Sequence, residues 1–194
     1  MVEIIDFEPR TTAIDGLLVL TMKQVFDDRG VVRELYRRSA MDVAGVSPLG
    51  PWVQVNATET RHGAIRGLHA EAMNKLVAVV SGEALGAYVD LRAGSSTFGE
   101  VVTVRLVPGT QVLVPNGVGN GFQATAEGIT QYLYCFDEEW APGMAGLACN
   151  PLDPELGIDW PVPVDPDDLA QVSEKDRTAP ALAELRRQIE GSRP

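Results

Sequence analysis

Between residues 75 and 136 the chain alternates short apolar runs with clusters of Gly, Pro, Asn and Ser. Lys75-Leu76-Val77-Ala78-Val79-Val80 stops at Ser81-Gly82-Glu83, and Ala84 to Arg92 stops at Ala93-Gly94-Ser95-Ser96. From Glu100 to Val107, Val102, Val104 and Leu106 share one face and Thr103 and Arg105 the other, before Pro108-Gly109. Gln111 to Val114 ends at Pro115-Asn116-Gly117, and Thr130 to Phe136 sets Tyr132 and Tyr134 against Leu133 and Cys135. A period of two, punctuated by turn formers, predicts strands; their short length and regular recurrence predict an all-β antiparallel sandwich or barrel. Nothing between Asn56 and Phe136 carries helical periodicity.

The tail reads differently. Pro166 to Leu169 and Ala179 to Glu190 are expected to be helices, the second with Leu182, Leu185 and Ile189 on one stripe. Asp159-Trp160-Pro161-Val162-Pro163-Val164-Asp165-Pro166 is expected to run as an extended strap. Without repeats, residues 1–194 are expected to form one domain, with the barrel at about 20–160 and the strap and helices at 161–190.

Composition narrows the partners. The chain has 194 residues, 45% of them hydrophobic and 22% charged, an ordinary globular balance. With 16 basic and 27 acidic residues the net charge is −11, which repels nucleic-acid phosphates and makes a nucleic-acid partner unexpected. A phosphorylated ligand would need local arginines to overcome that field. Two cysteines, Cys135 and Cys149, make neither a disulfide framework nor a closely spaced zinc pair. Met1 to Arg10 has no apolar core of a signal peptide, and no run approaches a membrane span, so a cytoplasmic protein is expected.

The candidate chemistry centres on Arg61-His62-Gly63-Ala64-Ile65-Arg66-Gly67-Leu68-His69, followed by Lys75. Only two histidines exist, so imidazole proton transfer near neutral pH must use His62 or His69. A metal in such a barrel needs several converging His and carboxylate ligands. The odd spacing of His62 and His69 would put them on opposite faces of one strand, so a metal-independent site is expected.

An ordered series of motifs then carries a resemblance. Asp28-Arg29-Gly30, Gln54-Val55-Asn56, Gly63-Ala64-Ile65-Arg66-Gly67-Leu68-His69 and Lys75 are followed by Val89-Asp90-Leu91-Arg92, Ser95-Ser96-Thr97-Phe98-Gly99 and Val114-Pro115-Asn116-Gly117. Tyr132-Leu133-Tyr134, Leu156-Gly157-Ile158-Asp159-Trp160-Pro161 and Ser173-Glu174-Lys175-Asp176 complete it. Together they resemble the dTDP-4-dehydrorhamnose 3,5-epimerases, over about residues 26–178.

The resemblance implies a cupin-like, metal-free β jelly roll without cofactor, a homodimer, and a nucleotide-linked 4-keto-6-deoxy sugar as substrate. A 4-keto group acidifies the hydrogens at C3 and C5, so inversion needs a base, an acid on the opposite face, and a cation for the enolate oxygen. By resemblance, His69 is the base, Asp176 the carboxylate that supports it, Lys75 the enolate stabiliser and Tyr134 the acid. Arg66 and Arg29 would meet the diphosphate. Glu34, Gln54 and Asn56 would read hydroxyls or base edges, Trp140 would stack on the base, and Lys175 would contact the nucleotide end. On their own, Tyr134 also fits a half-buried strand aromatic and Asp176 a solvated tail charge.

Several positions depart from the family pattern. Asn120-Gly121-Phe122 stands where His-Gly-Phe is usual, which puts Asn120 in the substrate pocket in place of a histidine. Gly86 stands where an Asp is usual, and the two losses suggest a pair lost together. Val32 replaces a usual Phe, and Ala70-Glu71 replaces Phe-Gln. The competing expectations are a monoepimerase, an enzyme for another nucleotide sugar, and a binding jelly roll without turnover.

Overall fold

The protein, described here by a computed structural model over residues 2–46 and 51–191, folds mainly as antiparallel strands. In chain order these are β1 (Glu3–Ile5), β2 (Glu8–Thr11), β3 (Leu18–Thr21), β4 (Gln24–Asp27), β5 (Gly30–Arg33), β6 (Gln54–Arg61) and β7 (Ile65–Glu71). They continue as β8 (Lys75–Ser81), β9 (Ala84–Asp90), β10 (Val101–Leu106), β11 (Thr110–Val114), β12 (Val118–Ala124), β13 (Ile129–Phe136) and β14 (Gly146–Ala148). Helices are short: α1 (Arg38–Val43), α2 (Glu174–Arg177) and α3 (Leu182–Gly191), with one 3₁₀ turn at Pro154–Leu156.

Two sheets face each other. One runs β2-β3-β11-β8-β13-β6 and the other β10-β9-β12-β7-β14; a separate three-stranded sheet, β1-β4-β5, completes the set. The inner faces meet in a core made of Val77, Val79, Val112, Val114 and Tyr132 from the six-stranded sheet and Tyr88, Leu106, Val118 and Phe122 from the five-stranded one. Phe122 and Tyr132 stack across it, rings nearly parallel and centroids 4.0 Å apart.

The outer faces are covered as well, which is why β8 and β9 read as continuous apolar runs rather than alternating ones. Leu182 and Leu185 of α3, with Leu156, pack on Leu68, Ala87, Val89 and Leu91 behind the five-stranded sheet. Met41 and Val46 pack on Leu20, Leu76 and Leu113 behind the six-stranded one. A strand buried on both faces loses its period of two because neither face meets water.

The strands expected from the pattern are all present as β8, β9, β10, β11 and β13. The tail needs correction: residues 166–169 form turns rather than a helix. Asp165 and Asp168 there take up backbone N–H groups of Asp167 and Ala170, the local bonding by which aspartates compete with a helix. The last helix begins at Leu182 rather than at Ala179, because the chain must pass Pro180, and Asp153 Oδ2 accepts the Leu182 N–H at 2.6 Å as its cap.

His62 also departs from expectation. It lies in the turn between β6 and β7, where Gly63 takes a φ of 80°, and its Nδ1 is 3.1 Å from the Ala126 carbonyl. The two histidines therefore do not share a strand. Among the described residues, no group of three or more His, Cys, Asp or Glu is placed to hold a metal ion, and no helix is long and apolar enough to cross a membrane.

Candidate active site

At one end of the barrel the sheets part to leave a cleft of about 710 Å³. Its walls come from both sheets: Arg66, His69 and Glu71 from β7 and Asn120 from β12 on one side, Asn56, Lys75 and Tyr134 from β6, β8 and β13 on the other. The tail closes over it with Ser173, Lys175 and Asp176. Gly67 makes this wall possible: its φ is 113°, and a Cβ there would lie 2.6 Å from the Asn120 carbonyl oxygen.

His69 and Asp176, far apart in sequence, meet here: Nε2 of the imidazole is 2.7 Å from Oδ1 of the carboxylate. Ser173 caps α2 by accepting the Asp176 N–H, which fixes the carboxylate's approach. Burial pushes the Asp176 carboxyl up, but the hydrogen bond and charge of His69, with Ser173 and the Gly67 N–H, hold it below its ordinary value.

Lys75 is 3% exposed. Its ammonium donates to the His69 carbonyl oxygen at 3.0 Å and pairs with Glu71. Burial drives the Lys75 pKa down, and the Glu71 carboxylate opposes that shift. Glu71 is held low despite its own burial by the lysine's charge and hydrogen bond. Its Oε1 also lies 4.0 Å from His69 Nδ1, so the imidazole stands between two carboxylates.

Tyr134 looks into the cleft from the six-stranded sheet. Burial raises its phenol well above the ordinary range, and the charge of Arg66 only partly offsets this, so the hydroxyl keeps its proton.

Other expected residues sit around the rim. Arg66 donates through Nε to Thr60 Oγ1 at 2.9 Å and leaves the rest of its guanidinium over the opening. Trp140 is 49% exposed at the mouth, and its backbone N–H donates to Gln54 Oε1 at 2.8 Å. Gln54 does not line the cleft; its amide donates to Asn56 Oδ1 at 3.2 Å and so links Trp140 to a lining residue.

Arg29 and Glu34 are elsewhere. Arg29 is 91% exposed beside β5, paired with Asp27, and Glu34 pairs with Arg37; neither lines this chain's cleft. Arg61, Thr60, Ser173 and Glu71 line it although the motifs did not single them out as site residues. Glu71 had a local signal: two residues from His69 on one strand, it must share its face.

Gly86 and Asn120 sit on adjoining strands. Asn120 pairs in register with His69 on one side and with Tyr88 on the other. A Cβ on Gly86 would come within 2.7 Å of the Tyr88 hydroxyl and 2.9 Å of Leu106 Cδ1. The phenol of Tyr88 thus fills the space that a side chain at position 86 would need.

Comparison with known proteins identifies the family. A profile of the dTDP-4-dehydrorhamnose 3,5-epimerase family matches residues 11–184. The chain is 35% identical to a dTDP-4-dehydrorhamnose 3,5-epimerase of Streptomyces griseus, over 92% of this chain and 88% of that protein. It is 34% identical to a dTDP-4-dehydro-6-deoxyglucose 3-epimerase of Streptomyces bikiniensis, over 83% of this chain and 82% of that one. Among solved structures it resembles a 4-keto-6-deoxy sugar epimerase from the novobiocin gene cluster of Streptomyces spheroides. That match has a TM-score of 0.85 and 31% identity, and covers 95% and 92% of the two chains.

Proposed function

Because the chain belongs to the dTDP-4-dehydrorhamnose 3,5-epimerase family, we propose that it inverts a dTDP-linked 4-keto-6-deoxy sugar at C3 and C5. The observation that carries the reading is the His69–Asp176 contact at 2.7 Å, set across one cleft from Tyr134. A base and an acid on opposite walls are what inversion at carbon demands.

The steps follow from the side chains. With Nε2 held by Asp176, Nδ1 is the ring nitrogen left to take the proton from the carbon beside the ketone. The C–H electron pair becomes the C=C bond, and charge collects on the ketone oxygen, where the Lys75 ammonium stabilises it. Tyr134 gives its proton to the same carbon from the other face and recovers one from solvent, while the imidazolium releases its own. Asp176 keeps the imidazole in one orientation and supports its charged form.

Arg66, Lys175 and Trp140 give the nucleotide end its grip: guanidinium and ammonium for the diphosphate, an indole for stacking on the base. Concentrating cations at the cleft is how a chain of net charge −11 holds a phosphorylated ligand.

A second reading, inversion at C3 alone, is favoured by the similarity to the Streptomyces bikiniensis 3-epimerase, with Asn120 and Gly86 standing where the family resemblance expects His and Asp. Proton NMR of the 4-keto sugar nucleotide in D₂O separates the readings. Exchange at C3 and C5 supports the first and exchange at C3 alone the second. Exchange at neither, with dTDP still bound, leaves a binding protein.

The protein would act in the cytoplasm as a homodimer. Val32 and Ile4 leave apolar side chains exposed on the small sheet whose β4–β5 turn carries Arg29. A second copy seated there would bury them and bring Arg29 and Glu34 to its partner's cleft. Light scattering is expected to give twice the chain mass, and Arg29→Ala to weaken dTDP binding; a stable monomer at micromolar concentration would reject the arrangement.

A further inference from the structure

Behind the cleft lies a polar group that the mechanism above leaves unused. Asn120 is 5% exposed, between His69 and Tyr88 in the sheet, and its side chain reaches the cleft wall. Its Oδ1 accepts a long hydrogen bond, 3.4 Å, from the hydroxyl of Tyr132. Its amide nitrogen has no partner among the described residues and is not one of the polar atoms sealed from solvent, so its two protons are presented to the cleft.

Tyr132 is built to hold that amide one way round. It is fully buried and stacked on Phe122, so its ring has no freedom to turn away. Burial pushes its phenol well above the ordinary range, so the hydroxyl stays protonated and donates. An amide whose oxygen is taken by a fixed donor must point its nitrogen the other way. Tyr88 closes the back: its hydroxyl is buried over Gly86, in the space a side chain there would need, and is near enough to the Tyr132 hydroxyl for each to influence the other's ionisation.

We propose that Tyr132 is a positioning residue that turns the Asn120 amide toward the substrate's ketone oxygen, making Asn120 a neutral second donor beside Lys75. The inference rests on the epimerase reading and deepens it. Lys75 and Asn120 converge there because the lysine ammonium sits on the His69 carbonyl and Asn120 is His69's cross-strand neighbour. Two preorganised donors on the atom where charge develops form an oxyanion hole, and the second does not titrate.

The test is a comparison of deuterium exchange at C3 and C5 of the dTDP-linked 4-keto-6-deoxy sugar for wild type, Asn120→Ala, Tyr132→Phe and the double variant. Loss of the donor in Asn120→Ala is expected to slow exchange by ~10²–10³-fold, the usual cost of one oxyanion donor. Tyr132→Phe keeps the stack and removes only the hydroxyl; it is expected to cost about five- to tenfold, the worth of one hydrogen bond. The double variant should be no slower than Asn120→Ala alone, because Tyr132 acts through Asn120. Affinity for dTDP should stay within about twofold in all of them, so the loss appears in kcat.

Additive losses in the double variant would show that Tyr132 only supports the core and would overturn the proposal. If Tyr132→Phe fails to fold, Asn120→Leu decides: it removes the donor at nearly the same volume and adds no charge, so exchange as fast as wild type overturns the proposal and a loss matching Asn120→Ala supports it. A wild type that exchanges while Asn120→Ala keeps pace overturns this inference alone. A wild type that exchanges neither carbon overturns the epimerase reading together with it.

Discussion

His69→Ala is expected to slow deuterium exchange at both C3 and C5 by ~10²–10⁴-fold, the usual contribution of a positioned general base. The substitution takes away the imidazole and leaves Asp176 without its partner at 2.7 Å. Its immediate neighbours do not replace it: Glu71 is tied to Lys75, and the Lys75 ammonium has no lone pair while charged. Affinity for dTDP should change little, because Arg66, Lys175 and Trp140 line other parts of the cleft. Calorimetric titration with dTDP beside the exchange measurement checks both halves. Wild-type exchange in the variant would remove His69 from the role of base.

The second large effect is a change of outcome as well as of rate. Tyr134→Phe removes one hydroxyl from the wall opposite His69 and leaves base, enolate stabiliser and nucleotide grip in place. His69 then still takes a proton from its own face and can give back deuterium to that face. Deuterium should therefore enter the recovered substrate while epimer formation falls by ~10²–10⁴-fold, the value of a lost general acid. NMR integration at C3 and C5, read with the coupling constants that report configuration, distinguishes exchange with retention from inversion. Epimer accumulating at the wild-type rate would mean that another group, or water, protonates the second face.

These outcomes depend on residues whose legibility in the sequence differed. The strands β8, β9, β10, β11 and β13 were readable because short apolar or alternating runs end at turn-forming clusters rich in Gly and Pro. β12 was not: Val118-Gly119-Asn120-Gly121 has the composition of a turn, yet every residue of β12 is buried. It is a strand because β7 and β9 bind it from both sides, and its glycines let those neighbours approach. The tail misled in the opposite sense, since the acidic run after Pro166 bonds its own backbone in turns, and the helix that carries Asp176 is a single turn capped by Ser173.

The candidate site divides along the same line. His69, Lys75, Arg66, Asn56, Asn120, Tyr134, Trp140, Lys175 and Asp176, named from ordered motifs, all line one cleft. Arg29 and Glu34 were named by the same resemblance and stand outside it, because they flank β5 of the small sheet, whose strands do not pair with those that form the cleft, and each is tied to a local ion-pair partner. Tyr132 read as a strand aromatic on the same face as Tyr134, within a motif but without a role; its hydroxyl acquires a purpose from Asn120, a neighbour in space on a different sheet.

By itself, the sequence determined the residue types available for proton transfer, the period-two strands and the family, since these depend on side-chain chemistry and on local order along the chain. Tertiary structure alone decided which nitrogen of His69 is engaged, that Glu71 neutralises Lys75, and which way the Asn120 amide faces. Each of those depends on groups from separate strands or from the tail meeting at hydrogen-bond distance, in a cleft where burial makes every unpaired charge or dipole costly.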